Sequence, residues 1–153
     1  MLRRASKRKK SSFTKVSEDK VFLGSYRPSF NLKSRRIALP KKLRDYLATS
    51  KIILSFGFEK CIFCFDIKAW EKESARSVGL PLTERSARDI RRFIFSGAEH
   101  IKLDDQGRFV IPNSLLEYAQ IKKPTIIGAG DHFEIWDESI WQGHKDKLQR
   151  VNR

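Results

Sequence analysis

The run Asp104-Asp105-Gln106-Gly107-Arg108 places a carboxylate and a guanidinium four residues apart across a glycine. Gly107 can take a positive φ, so the chain can reverse sharply there. Asp104 can then accept N–H bonds across the turn or pair with Arg108. Such a pair holds a planar fork of donors in one orientation. A fixed fork on an exposed turn suits a phosphate or the edge of a guanine. By itself the turn is a weak signal, because Asp/Gly turns flanked by arginine are common.

Other reactive side chains point elsewhere. Cys61 and Cys64 are spaced C-x-x-C, as in a redox pair or half a zinc site. They lie in the apolar run Cys61-Ile62-Phe63-Cys64-Phe65, which reads as a buried strand. Residues three apart in a strand face opposite sides. There is no second cysteine pair, and the three histidines are scattered. The cysteines therefore read as core. His132 sits beside Asp131 near a hairpin turn and reads as a solvated or locally bonded histidine. No phosphate-cradling glycine loop, metal-ligand cluster or Ser/His/Asp arrangement stands out. The expectation is a protein that is not an enzyme, with no cofactor, catalytic residue or metal ligand.

Charge narrows the partner. Among 153 residues, 32 are Lys or Arg against 18 Asp or Glu, a formal +14. Such an excess does not help folding and implies a polyanion, nucleic acid first and an anionic membrane surface second. No run is long and apolar enough to span a bilayer, and no apolar stretch of signal-peptide length follows the basic N-terminus. The expectation is a soluble, unexported chain. Arg and Ser content alone would permit an organellar presequence, but Glu18, Asp19 and the lack of an amphipathic stripe speak against it. Residues 1–20 carry eight cations and two acids, a net +6, with few large apolar residues, and are expected to be a disordered basic tail. The remainder keeps +8.

Periodicity supplies the elements that must position the turn. Val21–Tyr26 and Arg35–Leu39 read as strands, and Pro40–Leu47 as a short helix opened by its proline. Ile52–Phe56 and Cys61–Phe65 read as strands around a turn at Gly57–Lys60. Asp66 reads as the N-cap of a helix to Arg76. Thr83 is a candidate N-cap for a helix running to Ser96, ended by Gly97. Ala87, Ile90, Phe93 and Ile94 share one face of that helix. Arg85, Arg88, Arg91 and Arg92 populate the others, as a solvated surface or as phosphate contacts. His100–Leu103 and Phe109–Ile111 read as strands flanking the Asp104–Gly107 turn, with a helix over Pro112–Ala119. Thr125–Ile127 and Phe133–Trp136 read as a hairpin, and Asp137 opens a closing helix. The pattern is α+β with a partly closed β core.

The order of turn, proline, short helix and hairpin occurs twice. Pro40 matches Pro112, Leu43 matches Leu115, Asp66 matches Asp137 and Trp70 matches Trp141. The Pro-to-Trp distance is 30 residues in one copy and 29 in the other. Two copies are too few for an open solenoid, so the halves are expected to pack as one pseudo-symmetric domain. The matched tryptophans could be a base-stacking pair, but symmetric placement favours packing.

The run LDDQGRFVIPNSLLEYAQI followed by IIGAGDHFEIWDESIW resembles the MraZ family, built from two SpoVT-AbrB-type repeats. Phe22-Leu23-Gly24-Ser25-Tyr26 is similar to that family's opening segment, and 88–98 to its connecting helix. The resemblance covers roughly residues 21–143 and implies duplicated, swapped-hairpin-like repeats forming a compact pseudo-two-fold β core with flanking short helices. It divides the chain into the tail 1–20, repeat 1 (21–71), a connecting helical segment (72–97), repeat 2 (98–143) and a basic C-terminal tail (144–153). It implies a bacterial transcriptional regulator, cytoplasmic and nucleoid-associated, without a membrane or small-molecule partner. Such a regulator binds double-stranded DNA at direct repeats upstream of the division and cell-wall gene cluster, its own promoter included. It assembles as a homo-oligomeric ring larger than a dimer. The resemblance makes Gln106 and Arg108 DNA contacts, organised by Asp104 and Gly107. In the first half the matching run is Asn31-Leu32-Lys33-Ser34-Arg35, with Arg36 extra before Ile37. Asparagine replaces the family's aspartate and serine its glycine. Lys33, Arg35 and Arg36 are the candidate contacts there and Asn31 the turn organiser. A gapless alignment places Leu32 and Arg36 at the Asp and Arg positions, so Arg35 and Arg36 stay open alternatives. Other readings are an AbrB-like antitoxin, a general chromosome-associated protein, or an RNA- or ribosome-binding accessory protein.

Overall fold

The computed structural model describes residues 21–152; the basic segment 1–20 lies outside them. In chain order the elements are β1 (Ser25–Tyr26), β2 (Phe30–Asn31), β3 (Arg36–Ala38), α1 (Lys41–Arg44), β4 (Lys51–Phe56), β5 (Ile62–Asp66) and α2 (Ile67–Val78). There follow α3 (Arg85–Ser96), β6 (Glu99–Lys102), β7 (Arg108–Val110), α4 (Asn113–Ala119), β8 (Pro124–Gly128), β9 (Phe133–Asp137) and α5 (Glu138–Val151). The fold is α+β, with antiparallel sheets and short helices.

Local chemistry starts the helices in matching ways. Asp66 caps α2 by accepting the Ala69 N–H at 2.8 Å. Asp137 caps α5 by accepting the Ser139 N–H at 3.2 Å and its hydroxyl at 2.7 Å. The Lys122 and Lys123 N–H groups also donate to Asp137, at 2.9 and 3.1 Å, tying the α4–β8 connection to the helix start. Burial pushes this carboxyl up, but the four bonds outweigh it and hold its pKa below the ordinary range. Pro40 and Pro112 stand at the N-caps of α1 and α4 with nearly the same backbone, φ −56 and −54. Their fixed φ orients the entry without losing a helical N–H. Helix α1 covers only part of 40–47, because the Tyr46 and Leu47 N–H groups bond three residues back rather than four. Thr83 is not the N-cap of α3. It lies inside a turn closed by the Glu84 N–H on the Pro81 carbonyl, and Glu84 takes the cap position. Residues 144–151, read from sequence as tail, are the outer turns of α5.

The six-stranded sheet has the order β1-β8-β9-β5-β4-β6 and the three-stranded sheet β2-β3-β7. The hairpins β4–β5 and β8–β9 join side by side, with Phe63 opposite Glu134, Ile62 opposite Ile135 and Cys64 opposite Phe133. Each half also gives its first strand to the other half's hairpin: β1 pairs β8, and β6 pairs β4. The swap makes the halves one hydrogen-bonded body around a pseudo-two-fold axis. One apolar cluster draws on both halves, with Ile37, Leu39, Leu43, Ile52, Leu54 and Ile62 beside Phe109, Ile111, Leu115, Ile126, Phe133 and Ile135. Each such side chain contributes about 1.5–3 kcal/mol by leaving water.

Strand β4 is buried on both faces, with Ile52, Ile53, Leu54 and Ser55 at most 1 % exposed. Helices α2 and α3 cover the face that an open antiparallel sheet would leave wet. The Ser55 hydroxyl is satisfied there by the Ile94 carbonyl at 2.6 Å. A Cβ at Gly97 would overlap the Phe56 ring, so only glycine lets α3 end against β4. Cys61 and Cys64 are buried and free, and burial pushes both thiols up, as expected of core residues. Trp70 packs on Phe65 and Phe95, and Trp141 on Trp136 and His144.

Candidate nucleic-acid interface

The turn between β6 and β7 is closed by backbone bonds, Asp104 N–H to the Arg108 carbonyl and Gly107 N–H to the Asp104 carbonyl. Gly107 takes φ +75. With the chain reversed, Asp104 Oδ1 accepts the Gln106 and Arg108 N–H groups at 2.9 and 2.8 Å. Its Oδ2 accepts the Arg108 Nε–H at 2.8 Å. These bonds from Arg108, backbone first and then side chain, hold the Asp104 carboxyl below the ordinary carboxylate range. The Arg108 side chain stays 43 % exposed, so its guanidinium is oriented without being buried.

Register identifies the first-half counterpart. Ile37 lies opposite Phe109, Arg36 opposite Val110 and Ala38 opposite Arg108. The Leu39 N–H donates to the Gly107 carbonyl and the Ile111 N–H to the Arg35 carbonyl, both at 2.8 Å. Adding 72 to each first-half number gives its partner's equivalent, so Arg36 corresponds to Arg108 and Arg35 to Gly107. Arg35 and Gly107 also share the left-handed backbone, at φ 59 and 75. The gapless alignment is therefore correct for the strand. The turn itself is longer by one residue, since Asn31 pairs with Arg36 across five positions.

The two turns differ in what holds them. Asn31 Oδ1 accepts the Ser34 N–H at 3.1 Å. Among the described residues, the Arg36 guanidinium makes no hydrogen bond or ion pair, and its side chain is exposed. The Arg35 Nε–H donates to the Ile111 carbonyl at 3.1 Å and is half-buried.

In β3 and β7, Ile37 and Phe109 point into the core. Alternation then puts Arg36, Ala38, Arg108 and Val110 on the outer face. An open groove of about 500 Å³ on this side is lined by Arg36, Lys102, Asp104, Asp105, Arg108 and Val110. It brings the two equivalent arginines together across the pseudo-two-fold axis. Lys33, Arg35 and Gln106 do not line it, although Lys33 and Gln106 are exposed on their turns.

Two further residues meet the site that motif reading passed over. Lys102 lines the groove, and strand alternation from Asp104 could have flagged it. Arg44 of α1 packs on the second turn: a Cβ at Gly107 would overlap its Cδ and lie 2.6 Å from its Nε. That Nε is buried without a hydrogen-bond partner. Nothing local in the sequence signals this contact, because it crosses from one half to the other.

The arginine surface of α3 is mostly engaged. Arg92 pairs with Asp89 at 3.1 Å, and Arg85 approaches the same carboxylate at 4.0 Å. The Arg88 guanidinium donates to the Leu82 carbonyl at 2.8 Å. His132 is locally bonded, with Nδ1 and Nε2 each 2.8 Å from a carboxylate oxygen, of Asp131 and Glu134. Among the described residues, no group of three or more His, Cys, Asp or Glu could hold a metal ion. No described helix is long and apolar enough to cross a membrane.

Comparison with known proteins places the sequence in a family. A family model described as "MraZ protein, putative antitoxin-like" matches residues 26–93 and again 94–153. A protein of Acetivibrio thermocellus named "Transcriptional regulator MraZ" is 37 % identical over 125 residues, covering 81 % of this chain and 86 % of that protein. One of Halothermothrix orenii with the same name is 35 % identical over 130 residues, covering 84 % of this chain and 90 % of that protein. Regulating transcription is a non-enzymatic role. With the family's model matched twice in tandem and these relatives spanning most of its length, the chain belongs to the MraZ family.

Proposed function

We propose that this protein is a sequence-specific regulator of transcription that binds duplex DNA through the face bearing Arg36 and Arg108. The observation that carries the reading is the pair of symmetry-equivalent, exposed arginines lining one groove, in a chain of formal charge +14. Lys33, Arg35 and Gln106 on the flanking turns complete the contact surface, with Asn31, Asp104 and Gly107 shaping the turns. The finer target follows from the resemblance: direct repeats upstream of the division and cell-wall gene cluster, including this protein's own promoter. One module gains little specificity from a few cationic contacts. A homo-oligomeric ring that repeats the face along the duplex gains it through multivalency. The setting is cytoplasmic and nucleoid-associated, and residues 1–20 add sequence-independent phosphate attraction.

Binding of two variants to a preferred duplex tests the site. Arg108→Ala should weaken binding by about 1–3 kcal/mol, as for loss of a bidentate base contact. Asp104→Ala should weaken it too, although the change removes negative charge from the surface. Tighter binding by Asp104→Ala, as simple electrostatics demands, would sink the organising role.

A further inference from the structure

The two turns are equivalent by register and unlike in chemistry. Residues 104–108 hold Asp104, Asp105 and Arg108, a net −1, with the arginine fixed by its own carboxylate. Residues 31–36 hold Lys33, Arg35 and Arg36, a net +3, and the Arg36 guanidinium is free among the described residues.

Even with Lys102 on the groove and Arg44 packed on Gly107, this turn carries less positive charge than its counterpart, so it draws less on phosphate attraction. Its oriented donor gains most where it meets a matching acceptor, which is what a base edge offers. Because Asp104 already fixes the fork, little side-chain entropy is lost on contact. A turn of net +3 with an unrestrained arginine has the opposite character. It is attracted to any phosphate, releases counterions on contact, and its loose guanidinium adapts to whatever oxygen lies near.

We propose that the turns divide the work: Arg108, clamped by Asp104, reads a base edge, while Arg36 with Lys33 anchors the neighbouring phosphates. Each chain then lies on the duplex with a fixed polarity, and its pseudo-two-fold axis is not a symmetry of the complex. This inference rests on the DNA-binding reading above.

The experiment measures binding of wild type, Arg36→Ala and Arg108→Ala over a range of salt. The probes are a duplex enriched from a random pool by the wild-type protein and a scrambled duplex of equal length. Both arginines are exposed, and circular dichroism checks that each variant is folded. Arg36→Ala should lower affinity for both duplexes by the same factor and flatten the log K against log salt slope by about 0.9 per engaged chain. Arg108→Ala should cut the preference for the enriched duplex by about 5- to 150-fold and change the slope by less than half as much. Equal effects of the two variants on preference and slope would overturn the division of labour, as would collapse of preference in Arg36→Ala. If the pool yields no enriched duplex, or wild type shows no salt-dependent binding, the DNA-binding reading itself fails.

Discussion

Replacing Gly107 by alanine tests how the second turn is built. Two separate costs are expected. An L-residue at φ +75 is strained by about 1–2 kcal/mol. The new Cβ also meets the stem of Arg44, whose Cδ and Nε are mid-chain atoms held against the turn. The stem must move as a whole, and overpacking of this kind costs about 1–3 kcal/mol. The total for Gly107→Ala is then about 2–5 kcal/mol. Arg44→Ala removes the overlap but leaves the backbone strain. In the double variant the Gly107→Ala cost should therefore fall back to about 1–2 kcal/mol. The assay is urea unfolding at fixed protein concentration with linear extrapolation, followed by fluorescence of Trp70, Trp136 and Trp141. The coupling between the two sites is read as a double-mutant cycle. Additive costs would refute the contact with Arg44. A Gly107→Ala variant within about 0.5 kcal/mol of wild type would refute both terms.

Two further outcomes are expected. Light scattering should find an assembly larger than a dimer, and a mass near the 17.9 kDa of one chain across a wide concentration range would remove the ring. His132 should confer stability that depends on pH: burial lowers its pKa, but bonds to Glu134 and Asp131 outweigh burial and raise it overall. Around the ring stand those two carboxylates and the Phe63 and Phe65 rings. The stabilisation is then complete below the ordinary imidazole value of about 6.5 and is lost as pH rises through the raised folded value. The gap between the urea midpoints of wild type and His132→Gln should narrow as pH climbs from about 6.5 upward, and a gap that does not change with pH refutes the linkage.

Much of this molecule was legible where chemistry is local. Asp66 and Asp137 announce helix starts because their carboxylates reach N–H groups two or three residues ahead. Pro40 and Pro112 mark the same entry because φ is fixed within the ring. The Asp104–Arg108 bond was readable for the same reason, since both ends belong to one turn. Relations that cross between the halves were not readable. The choice between Arg35 and Arg36 depends on which carbonyl accepts the Ile111 N–H, and no local pattern encodes that. The contact of Arg44 with Gly107 is hidden likewise. Thr83 misled because the turn begun at Pro81 moved the helix start to Glu84, one residue later.

The pairing of β3 with β7 places Ile37 opposite Phe109, where two identical subunits would place a residue opposite itself. In a dimer of identical half-length chains, one codon would set both turns, and any change to the clamp would appear twice. Joined in a single polypeptide, Asn31 and Asp104 are inherited independently. A substitution that frees one arginine leaves the other held, so a single chain can carry two unequal turns where a symmetric dimer of half-length chains could not.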